Sequence, residues 1–239
     1  MMSLIGTWEL VLLLDKDRRL YLIPGVATVI KELWSNLSLY VSEGIQTLIE
    51  AFVGFLIGNT ASFLLAVWMS YSKSVERIVY PYAIALKATP IVALAPLIVA
   101  CFGQEFSSKV VCAAVISFFP LMIQCPEAFR RVPEELLDLF HSLGASEKQI
   151  FFHLRLPLAS SQIFSALKTA SSLSVVGALM GEFMSPTGGI GKLLIQALAN
   201  GWGGQLIAAT IVSGIIGVIF FGLIHFLQAR VVYWAPQSF

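Results

Sequence analysis

Apolar residues along this chain gather into long runs separated by short polar stretches. The main runs cover about 45–70, 78–102, 108–129, 161–184 and 205–228. Each approaches or exceeds the ~20 residues needed to cross about 30 Å of hydrocarbon. The expected fold class is therefore all-α, a polytopic bundle of five or six membrane spans. Residues 1–14 are apolar apart from Glu9, and the charged stretch from Asp15 to Arg19 stops that run. It lacks the basic start of a secretory signal and reads as the end of a first span whose beginning is clipped or absent. Over 25–41, Val26, Val29, Leu33, Leu37 and Tyr40 recur at helical spacing, with Lys31, Glu32 and Asn36 between them. That pattern predicts an amphipathic helix lying along the membrane surface.

Several runs carry features that shape a bundle. Gly54 and Gly58 form a small-xxx-small pair that allows close approach of a second helix. Ala170, Ser174 and Ala178, then Gly177 and Gly181, line one side of the run at 161–184, and Ser213, Gly214 and Gly217 mark the run at 205–228. The run at 78–102 holds Pro81, Pro90 and Pro96, with Lys87 inside it. Proline removes an amide donor and kinks a helix, and the freed backbone groups must face protein or a water-filled cavity. Lys87 and Pro90 are thus candidates to line an internal pathway. Glu50, Glu182 and His225 are the other ionisable residues in or near spans. Charge is costly in lipid, so such groups usually face a polar interior. Glu182 and His225 lie near span ends, where they can reach the interface. Glu50 can pair internally, with Lys87 as one partner.

One polar segment stands apart. Pro133-Glu134-Glu135 reads as a helix start, because proline suits the first turn and carboxylates favour the positive helix end. Leu136, Leu139, Phe140 and Leu143 share a face, and Gly144 is placed as a left-handed C-terminal cap. Ser146 and Gln149 have capping-box spacing for a second helix. Ile150, Phe151 and Leu154 give that helix an apolar face, and Pro157 is expected to end it. A helix, a glycine turn and a helix outside the membrane, with apolar residues showing, suit a loop folded onto its own bundle or an element entering a groove on a partner. A DNA-binding reading is disfavoured: Glu134, Glu135, Asp138 and Glu147 outweigh Lys148 and Arg155, and phosphate contact needs the reverse.

Composition agrees with the patterning. Hydrophobic types make up 57% and charged types 12%, with a mean hydropathy of +0.84. Soluble domains carry about 25% charged residues. A net charge of +1 supplies no global field for nucleic acid. Cys101, Cys112 and Cys125 fit no zinc spacing, and His141, His153 and His225 are scattered, so no metal site is expected. Gly188-Gly-Ile-Gly-Lys192 invites a phosphate-loop reading. It fails, since Pro186 stands where the first glycine is needed and Leu193 where a hydroxyl should hold magnesium. It reads instead as a tight extracytoplasmic turn. If 133–157 is cytoplasmic, that side holds Lys73, Arg77, Arg130, Arg131, Lys148, Arg155, Lys168 and Arg230. The other side holds Lys16, Arg18, Arg19, Lys31, Lys109 and Lys192, a mild bias that sharpens once the first loop is set aside.

The segment also resembles a known family. Importer permeases of the ABC class carry Glu-Ala-Ala, three residues, Gly, nine residues, then Ile-x-Leu-Pro on a cytoplasmic loop. Here Asp138-Leu139-Phe140, three residues, Gly144, nine residues and Leu154-Arg-Leu156-Pro157 keep that spacing, with the triplet itself altered. Further matches are Pro24, Thr47-Leu48, Gly54-Phe55, Lys87-Ala-Thr-Pro90, Ala93-Leu-Ala-Pro96-Leu97, Phe102-Gly103, Gly181-Glu182-Phe183 and Gly188-Gly-Ile-Gly191, with Trp8-Glu9 near the start. These resemble the nitrate, taurine and sulfonate branch. The stretch Val175 to Phe183 is similar to members assigned to thiamine precursors or riboflavin.

The resemblance implies two regions: 1–44, a partial first span with an interfacial helix, and 45–239, a permease domain whose coupling loop occupies 130–160. It implies a non-catalytic subunit with no cofactor of its own, ATP and magnesium being held by a separate ATPase. It assigns coupling to Glu135, Asp138, Leu139, Phe140, Gly144, Ala145, Leu154, Leu156 and Pro157, and leaves Lys87, Pro90, Glu50 and Glu182 as pathway candidates. Implied partners are ABC ATPase subunits, a periplasmic or lipid-anchored binding protein, a second permease chain and the bilayer, without nucleic acid. The implied place is a bacterial cytoplasmic membrane, crossed several times. The implied solute is a pyrimidine-like thiamine precursor, a flavin, or a sulfonate- or nitrate-type anion. An ion-coupled secondary transporter is the competing reading. An intramembrane enzyme is disfavoured, as no Ser/His or His/Glu set has catalytic spacing within one span.

Overall fold

The computed structural model describes residues 24–233, and the chain there is a helical bundle. The expected partial span at 1–14 and Trp8-Glu9 lie outside the described residues. The elements are α1 (Val26–Ser35), α2 (Leu37–Tyr71), α3 (Lys73–Ala88), α4 (Ile91–Phe102) and α5 (Phe106–Arg130). After them come α6 (Glu134–Ser142), α7 (Glu147–Ile150), a π-helical turn (Phe151–Arg155), α8 (Leu156–Met184), α9 (Ile190–Asn200) and α10 (Gly203–Val231). Among the described residues, four helical rods are long and apolar enough to cross a membrane: Leu37–Tyr71, Phe106–Arg130, Glu147–Met184 and Gly203–Val231. The chain is an all-α, polytopic membrane protein.

The amphipathic stretch at 25–41 is not one interfacial helix. It divides at Asn36, and its second part begins the first long span. Glu32 bridges the break, accepting from Asn36 Nδ2 at 2.9 Å and from the Tyr40 hydroxyl at 3.2 Å. α1 is docked on α10: Val29 is buried in one cluster with Ala208 and Ala209. The run at 78–102 also divides, into α3 and the short apolar α4. Helix persists through Pro81 and Pro96 and stops before Pro90, which is extended at φ −61° and ψ 127°. The ring of Pro90 disfavours helical geometry at Thr89, which accounts for the position of the break.

α5 is the central post, packed between α2 and α8. Small residues make that possible on both sides. A Cβ added at Gly54 would lie 2.5 Å from Ala113 Cβ, one at Gly177 2.6 Å from Ala113 Cα, and one at Gly181 2.7 Å from Lys109 Cα. The Gly58 position meets the Ala114 carbonyl directly. The Gly54–Gly58 pair therefore makes the close contact its spacing predicts. By contrast a Cβ added at Gly214 or Gly217 on α10 would meet no other element within 4 Å among the described residues. Gly58→Val should cost roughly 1–3 kcal/mol, as overpacking of a tight interface does. Denaturant titration of the purified chain checks this, and Gly214→Val serves as a matched control expected to stay near wild type.

Candidate coupling element and internal cavity

The segment at 133–157 folds as its capping signals require, with one difference. Gly144 has φ +70°. Its amide donates to His141 O at 2.9 Å, and the Ala145 amide donates to Phe140 O at 3.0 Å. These paired bonds are a Schellman cap, which needs a left-handed residue at position 144. Ser146 and Gln149 form a reciprocal capping box: Ser146 N donates to Gln149 Oε1 at 2.8 Å, and Gln149 N to Ser146 Oγ at 3.4 Å.

Pro157 does not end the second helix. Helix runs continuously from Glu147 through the π turn into α8, giving one rod to Met184. The π turn lies just before Pro157, where its wider spacing of backbone bonds accommodates a residue with no amide to donate. The element is thus welded to a membrane span. Phe151, 3% exposed, adds a second connection, its ring 5.2 Å from Phe129 at the end of α5 and 5.5 Å from Tyr71 at the end of α2.

The apolar face expected for α6 splits in two. Leu136 and Phe140, with Leu137, pack onto Val132, Ile150 and Leu154. Leu139 and Leu143 point outward, 51% and 74% exposed. Glu135, Asp138 and Gly144 are exposed beside them, whereas Phe140, Ala145, Leu156 and Pro157 are half-buried and Leu154 is buried. Of the residues assigned to coupling, the outward group can touch a partner. Of the inward group, Phe140, Ala145 and Leu154 hold the two helices together, and Leu156 packs against the cluster of Leu121, Phe129 and Phe151 among the spans.

Lys87 and Pro90 line one cavity of about 570 Å³, at the break between α3 and α4. Thr89, Gln124 and Thr169 add polar groups, and Phe119 offers an aromatic face. Volume and lining match those of small-molecule sites.

Glu50 and Glu182 are not part of that cavity, and Glu50 does not pair with Lys87. Both carboxyls are fully buried in a separate network joining α2, α5, α8 and the start of α9. Glu50 Oε1 lies 3.3 Å from Lys109 Nζ and accepts from Gln46 Nε2 at 3.0 Å. Lys109, itself 1% exposed, also donates to Gly188 O at 3.2 Å. Lys109 is therefore a structural ion and not a loop charge. Lys168 likewise sits within α8, 5.9 Å from the Phe221 ring, rather than in a loop. Glu182 is not at the interface: it accepts from the Thr47 hydroxyl at 2.7 Å and the Gly191 amide at 2.5 Å. His225 is exposed on α10.

The glycine turn completes the network. The amides of Gly189 and Ile190 donate to Glu43 Oε2 at 2.6 Å and Thr47 Oγ1 at 2.9 Å, and Lys192 pairs with Glu43 at 3.0 Å. Gly189 has a positive φ of +92°, which favours glycine, and any Cβ there would collide with the Glu182 carboxyl. The amides at the start of α9 are thus occupied by the chain's own side chains, Gly189 and Gly191 by the carboxylates of Glu43 and Glu182, the favourable partners for a helix N-terminus, and Ile190 by the Thr47 hydroxyl. Sequence reading missed this set. A usable signal existed in Glu43, Thr47 and Glu50 at i, i+4 and i+7 on a greasy helix.

A rod-borne helix pair at one end of a span bundle invites comparison with known transporters. The family described as binding-protein-dependent transport system inner membrane component matches residues 58–233. The chain belongs to this family. It is an ABC-type permease subunit, as its relatives are. One relative is the formylaminopyrimidine transport permease protein ThiX of Halalkalibacterium halodurans, 27% identical over 219 residues, 91% of this chain and 88% of that protein. Another is the riboflavin transport system permease protein RibX of Chloroflexus aurantiacus, 32% identical over 176 residues, 73% of this chain and 66% of the relative. Among solved structures, an inward-facing MetNI methionine ABC transporter chain superposes with a TM-score of 0.67 at 18% identity, covering 84% of this chain and 98% of that one. That likeness shows a shared fold.

Proposed function

We propose that this permease subunit pairs with a second copy in a bacterial cytoplasmic membrane and is driven by a separate ABC ATPase that docks on α6 and α7. The observation that carries the reading is the outward pair Leu139 and Leu143 on a cap-rigidified element continuous with α8. Two exposed leucines on a short helix suit a groove on a partner. A push on that element moves a whole span, because Glu147–Met184 is one rod. A binding protein delivers solute to the opposite face.

The cavity at Lys87 is where solute passes. Its apolar lining, few hydrogen-bonding groups and, among the described residues, single cation suit a small polar heterocycle of the pyrimidine or flavin kind, in keeping with the relatives' names. Lys87→Met should raise the apparent KM for ATP-driven uptake about tenfold or more, the usual effect of losing a hydrogen bond to a charged group. ATPase association should be unchanged. Uptake is measured in proteoliposomes carrying permease, ATPase and binding protein, with formylaminopyrimidine and riboflavin as probes. Equal uptake by wild type and variant would remove Lys87 from the pathway. Uptake by the permease alone on an ion gradient would contradict the ATPase reading.

A further inference from the structure

A second cavity, of about 540 Å³, opens where the coupling element meets the bundle. Lys73, Arg77, Arg130 and Arg155 converge on it, with Glu76 as its one carboxylate among the described residues. Met69, Phe129 and Val132 form a buried apolar floor. Arg130 pairs with Glu76, and Arg155 lies 4.0 Å from Glu147. Lys73 and Arg77 have no ion-pair partner among the described residues. Isolated basic residues at span ends set orientation and need no ligand. Here they share one concave site, two of them uncompensated, and lysine and arginine in that arrangement are suited to phosphate oxygens.

We propose that this cavity binds a phosphate-type anion, either a phospholipid headgroup or free phosphate. The rim is built by the ends of two spans and the start of a shorter helix: α2 ends at Tyr71, Lys73 begins α3 just after it, and Arg130 ends α5. That places it at headgroup level, with the apolar floor facing the first carbons below a phosphodiester. Arg155 belongs to the π turn and Leu137 to α6, so a bound anion bridges the coupling element to the α2–α3 elbow. The anion would brace the element against the bundle by satisfying cations that otherwise repel.

The test uses the purified full chain. Inorganic phosphate is titrated into detergent-solubilised protein by calorimetry. Separately, nanodiscs of phosphatidylglycerol or phosphatidylcholine are examined by native mass spectrometry for retained lipid. Binding of phosphate indicates a free anion, and retention of phosphatidylglycerol alone indicates a headgroup; either supports the site. Lys73→Gln with Arg77→Gln should weaken binding about 25-fold, since each cation facing an anionic headgroup contributes roughly a factor of five. Both residues are exposed, so the fold is retained. Glu76→Gln should tighten binding, a gain that misfolding cannot mimic. Lys148→Gln removes an exposed cation from the same face without touching the cavity, and should leave binding within about twofold. Absence of both ligands from wild type, or an equal loss in Lys148→Gln, would overturn the site. So would a Glu76→Gln variant that binds no better than wild type.

Discussion

Lys109→Met destabilises the folded chain by about 3–5 kcal/mol, the range for breaking a buried ion pair from one side. The size follows from what is left behind. Glu50 is fully buried, and its Oε2 already has no hydrogen-bond partner among the described residues. Without the Lys109 ammonium, its Oε1 keeps only Gln46, and Gly188 O loses its donor. The double variant Lys109→Met with Glu50→Leu removes both ionic groups and should recover most of the loss. A residue of about 1–3 kcal/mol should remain for the carbonyl and amide left unpaired. Denaturant titration of wild type, both single variants and the double variant checks this. Additive losses would show that the two residues act independently, against the geometry.

On the proposed docking, Leu139→Asp combined with Leu143→Asp should lower affinity for an ABC ATPase at least about 100-fold, because apolar anchors at the centre of a docking face dominate binding. Both side chains are largely exposed and contribute little to the fold, so helical content and stability should hold. The inward residues behave differently. Loss of Leu154, buried against Val132 and Ile150, should disturb the element itself. Surface plasmon resonance with the purified ATPase separates the two cases. An unchanged affinity in the folded double variant would remove α6 from the docking face.

Much of this was legible from the sequence where the cause is local. The Schellman cap at Gly144 and the capping box at Ser146 and Gln149 depend on residues within one turn, and their spacing alone predicts them. Gly54 and Gly58 were readable as a contact because only small residues allow backbone approach, though not that Ala113 and Ala114 would be the partners. Distant pairings were not legible. Thr47 and Glu182 are 135 residues apart, and Lys109 and Gly188 are 79 apart, so no periodicity joins them. Lys109 read as a loop charge because it begins an apolar run, whereas the tertiary fold buries it. Two local expectations failed for local reasons. Pro157 sits after a π turn that accommodates it, and Asn36 breaks a stretch whose apolar spacing continues across the break.

The central claim is that the helix pair about Gly144 docks into a separate ATPase, and crosslinking tests it most directly. A benzophenone amino acid placed at Leu143 in the full chain, in native membranes, should on illumination trap an ABC ATPase chain. The same group at Ile219, 57% exposed on α10, should trap lipid or another membrane chain and no ATPase. An ATPase adduct from position 143 alone is the predicted result. No adduct from 143, or equal adducts from both positions, would contradict the account.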